Sequence, residues 1–163
     1  MPVGFLGDYM SDILPFEEIK KISFTKRPVS IGADMRPLYK ISEILLIIKY
    51  TGWGEKASLL KIQFINWLLN NTEELNKIIS LTKRDEKHIF SFMHMDPIVN
   101  LALDYAIGSE LLEINANSLF QLTSKGEKYF NYIENEDVFK TEKEKLKNIG
   151  KKISESFINK LEM

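Results

Sequence analysis

Two histidines, His88 and His94, stand six residues apart with Asp85, Glu86 and Asp96 nearby, and these are the groups a metal or acid–base site would draw on. A six-residue step puts the imidazoles on different faces of a helix, so the spacing does not converge them on one ion, and they read as ordinary polar positions. Glu73 and Glu74 form a carboxylate pair, but Thr72 before them marks a helix start, where negative charge suits the exposed N–H groups. Gly52-Trp53-Gly54 is too short to cradle a phosphate and lacks the lysine of a phosphate loop. No Gly-x-Ser-x-Gly elbow occurs among the serines. The chain has no cysteine, which removes thiolate nucleophiles, disulfides, Cys-ligated zinc and iron–sulfur clusters. The expectation is a protein that is not an enzyme and holds no metal or cofactor.

With chemistry of that kind set aside, the chain is read for how it folds and what it touches. Its 163 residues are 44% hydrophobic and 28% charged, with ten Phe, six Tyr and two Trp against eight Gly and five Pro. Those proportions favour one mostly helical domain over a disordered or loop-rich chain. The longest aliphatic run, 44–48, is far shorter than the roughly 18 residues a membrane span needs. No Lys or Arg precedes Lys20 and no long apolar segment accompanies it, so the N-terminus does not read as a signal peptide and a cytoplasmic location is expected. The formal charge of −1 hides an uneven distribution: residues 1–36 are neutral, 37–95 carry +2, 96–136 carry −5 and 137–163 carry +2.

Residues 1–36 contain Pro2, Pro15 and Pro28 and read as an extended arm, with a short helix expected at about 12–21. From Pro37 a helix is predicted by Leu38, Ile41, Ile44, Leu45 and Ile48, ending at Gly52. A turn over 52–54 leads to a second helix, apolar nearly all round from Leu59 to Leu69 and so expected at the centre of the core. A third helix runs from Thr72 to about Leu81, and the polar stretch 82–95 leans to helix through Phe90 and Phe92. Asp96-Pro97 opens another, with Ile98, Leu101, Ala102, Tyr105 and Ala106 as its inner stripe and Gly108 as its stop. Next, 110–114 and 119–123 flank Asn115-Ala116-Asn117-Ser118 as a β-hairpin, with Leu112, Ile114, Phe120 and Leu122 on one buried face. Thr123 or Ser124 caps a following helix, Ser124 with Glu127 having capping-box spacing. The tail, 137–163, is predicted as one amphipathic helix through Phe139, Leu146, Ile149, Ile153, Phe157 and Leu161.

This order of elements resembles a winged helix. In Leu119-Phe120-Gln121-Leu122-Thr123-Ser124-Lys125-Gly126-Glu127 a Leu-Thr-x-x-Gly pattern leaves the wing and opens the next helix. The predicted fold is therefore mostly α with one hairpin: an N-terminal arm (1–36), a winged-helix-like domain (37–136) and a C-terminal amphipathic helix (137–163) packed on that domain or on a partner. A narrower resemblance runs from Arg36-Pro37-Leu38-Tyr39-Lys40-Ile41 through Gly54-Glu55-Lys56-Ala57-Ser58-Leu59-Leu60 to Asn66-Trp67, and on over 96–133. In these stretches the chain is similar to the small middle component of ABC-three-component systems, the group that includes Lamassu-type anti-phage defence. That resemblance implies an adaptor beside an SMC-like ATPase and a nuclease-type effector, meeting DNA only indirectly through the complex.

Winged helices commonly bind DNA, yet the helix before the hairpin and the wing tip, 115–118, contain no Lys or Arg. Phosphate contacts need cations, so a segment of −5 is badly placed against a duplex, and protein docking is the better reading. Trp53 on its turn is a candidate partner anchor, as is the stripe Phe139, Leu146, Ile149, Ile153 and Phe157; core packing is the competing reading for both. Lys140, Lys143, Lys147, Lys151 and Lys152 are candidate contacts to nucleic acid or an acidic partner, with a solvated helix face as their alternative. The alternative function is a DNA-binding transcriptional regulator working through those lysines.

Overall fold

A computed structural model describes residues 36–81 and 94–161. Of the expected arm, 1–36, residues 1–35 with the helix at 12–21 lie outside the described residues, as do His88 and residues 82–93 of the stretch 82–95 that leans to helix; His94 and Met95, at the end of that stretch, are not helical. The described chain runs α1 (Pro37–Thr51), β1 (Lys56–Ala57), α2 (Leu59–Asn70), α3 (Thr72–Leu81), α4 (Pro97–Gly108), β2 (Leu112–Ile114), β3 (Phe120–Leu122), α5 (Ser124–Asn135), α6 (Lys140–Ile149) and α7 (Glu155–Leu161). Helices dominate, and the strands form an antiparallel sheet in the order β1-β3-β2, an α+β arrangement of winged-helix type. Among the described residues no helix is long and apolar enough to cross a membrane.

The most enclosed helix of the core is α1, and α2 is buried too, as its apolar run suggests, from Lys61 to Asn66 and at Leu68 and Leu69. Pro37 starts α1, and every residue from Lys40 to Ile48 is buried, because α2, α4, α5 and α6 all pack around it. A helix enclosed on all sides can carry polar groups only if they are paired. Lys40 Nζ accordingly donates to Glu43 Oε2 at 2.6 Å and to Asn66 Oδ1 of α2 at 2.8 Å. Burial still pushes the Glu43 carboxyl above its ordinary pKa, the nearby Lys40 offsetting only part of that rise.

The third strand goes beyond the expected single hairpin. Gly54 and Glu55 both take positive φ in a two-residue turn that sets Trp53 opposite Lys56, and the next two residues then pair with β3 as Lys56↔Gln121 and Ala57↔Phe120. In the wing, β2 pairs with β3 in the register Leu112↔Leu122 and Ile114↔Phe120. Leu112 and Phe120 are buried as the alternation requires and Leu122 is partly buried, but Ile114, the last residue of its strand, is 52% exposed. The wing turn is held by Asn115, whose Oδ1 accepts from the N–H groups of Asn117 and Leu119, while the left-handed residue is Ser118.

The Leu-Thr-x-x-Gly pattern now has a mechanism. Thr123, rather than Ser124, caps α5: its Oγ1 accepts from Gly126 N at 3.1 Å and donates back to the carbonyls of Glu110 and Leu111. A Cβ on residue 126 would collide with the Leu111 carbonyl oxygen, so only glycine lets the first turn of α5 sit against the start of the wing. The predicted single C-terminal helix is instead two. Gly150 adopts φ 51, ψ −138, a conformation open in practice to glycine alone, which ends α6 and sends the chain through Ile153 into α7. That break shifts the helical phase, so that among the described side chains of α7 Ile158 is buried and Phe157 half-buried; the side chain of Leu161, last of the predicted stripe, lies outside them.

Candidate protein-docking face

The first turn of α4 is fixed from two sides. Asp96 Oδ1 caps it through Ile98 N at 2.9 Å, and Pro97 occupies the first helical position. The buried Gln63 of α2 then acts as a clamp: its Oε1 accepts from Asp96 N at 2.9 Å, while its Nε2 donates to the Asp96 carbonyl at 3.1 Å and to Asn100 Oδ1 at 2.9 Å. At the other end Lys125 Nζ donates to the Ser109 carbonyl at 2.8 Å, placing a cation at the negative end of the helix dipole. Held this way, α4 lies against α1 with Val99, Ala102, Leu103 and Ala106 inward.

That inner face differs from the expected stripe. Ala102 and Ala106 belong to both, but Leu101 and Tyr105 are 47% and 52% exposed. Apart from Asn100 and Asp104 the helix is apolar around its whole circumference, so periodicity could not choose between neighbouring faces, and the packing against α1 decides. The outward surface therefore carries Leu101 and Tyr105 one turn apart with Asn100 and Asp104 beside them, and no Lys or Arg. This is the position from which a winged helix of the DNA-reading kind enters a groove.

Each predicted contact residue can be placed. Trp53 is 61% exposed, with Lys151 Nζ 5.9 Å from its ring centroid. Leu146, Ile149 and Ile153 are buried in this domain's own core and present no surface to a partner. Phe139 is half-buried, its ring 4.7 Å from that of Tyr39, and Phe157 packs on the core edge. Of the lysines, Lys140 pairs with Asp137 at 2.7 Å, Lys147 lies 5.8 Å from the Tyr50 ring centroid, and Lys152 is exposed. Lys143 is buried and unavailable to a ligand, because its Nζ donates to the carbonyls of Ile133, Glu134 and Glu136.

Sequence reasoning missed three other polar arrangements, one fully buried and two partly so. Lys61 is fully buried and donates to the Thr51 carbonyl at 2.8 Å, and burial lowers its pKa against the smaller upward pull of Glu155. Tyr50 donates to Glu134 Oε1 at 2.7 Å, and burial followed by that carboxylate raises its pKa. Lys49 bridges Glu55 and Glu127; desolvation lowers its pKa, but the hydrogen bonds to both carboxylates outweigh it and the net shift is upward. Their only external signal is a lysine or tyrosine inside a run of core residues. His94 is exposed, and no group of three metal-ligating side chains occurs among the described residues. No family model, curated protein or solved structure matches the chain.

Proposed function

We propose that the chain is a non-catalytic, cytoplasmic adaptor that docks on an SMC-like ATPase and helps keep a nuclease-type effector inactive until phage or plasmid DNA is sensed. The observation that carries the protein-docking reading is the outward face of α4, where Leu101, Asp104 and Tyr105 stand together without a cation. A DNA-reading helix at that position needs Lys or Arg for the phosphates that supply most of the affinity. The disposition of the lysines supports the same reading, since Lys61, Lys125, Lys143 and Lys145 are engaged with backbone carbonyls near helix ends. The resemblance of 37–133 to middle components of ABC-three-component systems supplies the identity of the partners.

The test is to express the tagged chain beside its genomic neighbours and identify by mass spectrometry what elutes with it. A long ATPase recovered in stoichiometric amount is the expected result. Elution alone, or with DNA whose binding falls steeply with salt, would favour a winged-helix transcriptional regulator acting through the C-terminal lysines.

A further inference from the structure

We infer that the outward face of α4 receives an apolar, cationic helix from a partner protein, with aliphatic side chains on Leu101 and Tyr105 and a Lys or Arg against Asp104. The inference rests on the protein-docking reading above and adds the chemistry of the occupant. At 3.6 residues per turn, positions 97, 100, 101, 104, 105 and 108 fall within an arc of about 140°. All six are exposed, so the arc is one continuous strip. Its apolar half is the pair Leu101 and Tyr105, spaced as anchors for a helix laid alongside.

Charge selects the occupant. The segment 96–136 carries −5. Of its two cations, Lys125 is engaged with the Ser109 carbonyl and lies 4.0 Å from Glu110, and Lys128 stands on α5. Asp104 has no ion pair among the described residues, and Glu110 follows the helix end with its side chain largely in solvent. A second copy of this chain would bring the same acidic strip against itself, and a nucleic acid would bring phosphates, so both meet like charge. A helix with apolar residues on one side and Lys or Arg at its margin satisfies both halves of the strip.

The probes are two synthetic 14-residue helical peptides of identical pattern, one Leu/Lys and one Leu/Glu, titrated into the full chain at moderate salt with anisotropy and amide-shift readouts. The Leu/Lys peptide is expected to shift the amides of 100–108 and to bind at least about tenfold tighter than its acidic twin. Leu101→Ser with Tyr105→Ser should weaken it by about tenfold or more, as loss of central interface anchors does. Asp104→Lys should reverse the preference, a gain that misfolding cannot imitate. Equal binding of the two peptides, or indifference of the Leu/Lys peptide to these substitutions, would overturn the inference. So would self-association lost in the Leu101→Ser, Tyr105→Ser variant, or competition by duplex DNA for the strip. If the ATPase co-purifies equally well with that double variant, the inference fails and the adaptor reading stands. If the Leu/Lys peptide binds as expected and no ATPase co-purifies, the adaptor reading fails and the inference stands.

Discussion

Lys143 donates from Nζ to the carbonyl oxygen of Ile133 at 2.8 Å, and the same ammonium reaches the carbonyls of Glu134 and Glu136 at 3.2 and 3.1 Å. These acceptors lie at the end of α5, where the last carbonyls of a helix lack intrahelical partners and the dipole is negative. The device recurs: Lys61 serves the end of α1 through Thr51, Lys145 the end of α2 through Leu69, and Lys125 the residue after α4. Of the lysines read in the sequence as candidate nucleic-acid contacts, Lys143 thus closes a helix, while Lys140, Lys147, Lys151 and Lys152 are exposed.

Replacing Lys143 by Met is expected to destabilise the fold by about 2–3 kcal/mol, because three carbonyls lose a charged donor in a buried place. The exposed Lys152→Met should leave stability nearly unchanged. Urea denaturation of the two variants checks the contrast, and equal midpoints would remove the capping role from Lys143.

Gly126→Ala tests the mechanism given to the Leu-Thr-x-x-Gly pattern. The new Cβ must displace either the Leu111 carbonyl or the first turn of α5, a backbone adjustment with few ways to relax. A loss of about 2 kcal/mol or more is expected from thermal or urea unfolding, at the upper end of ordinary single substitutions. Thr123→Ala should cost less, about 1 kcal/mol, as loss of an N-cap hydroxyl usually does.

How far the sequence announced this structure can be followed through single residues. Asp96-Pro97 and Thr123 with Gly126 are local signals, complete within a few residues, and they mark helix starts that the structure keeps. The strand at Lys56–Ala57 is two residues long and owes its existence to pairing with β3, more than 60 positions away, so no window of sequence contains its cause. Leu101 and Leu103 are equally apolar, and only the surface of α1 determines that Leu103 turns inward and Leu101 outward. Gly150 inside a helical pattern reads as a tolerated defect until its dihedral angles show the chain leaving the helix. Lys61 and Lys143 are hidden for a different reason: a lysine between core positions reads as a solvated one, and the carbonyls it serves belong to other elements.

Trp53→Ala should alter stability by no more than about 0.5 kcal/mol, since the ring is mostly in solvent and its neighbour Lys151 is exposed too. Its effect is expected in complex formation, as weaker recovery of the ATPase proposed as its partner at unchanged melting temperature. A large fall in melting temperature would show instead that Trp53 holds the turn between α1 and β1.

Lys61 gives the fold a pH dependence on its alkaline side. Burial lowers its pKa below the 10.5 of a solvated lysine, so the unfolded chain binds this proton more tightly than the folded one. Stability attributable to Lys61 therefore rises with pH between the lowered folded value and 10.5, and the full penalty of the buried charge is present below that window. Lys61→Met keeps the length of the side chain but removes both the buried charge and the donor to the Thr51 carbonyl, and loss of that donor is expected to leave the variant about 1–2 kcal/mol less stable at pH 7, a smaller loss than at Lys143, whose ammonium serves three carbonyls. Because the parent gains stability as pH rises toward 10.5 and the variant does not, the gap between them should widen over that range. Melting temperatures of both proteins from pH 7 to 10.5 test this, and a constant or narrowing gap would mean that the Lys61 ammonium is not penalised by burial.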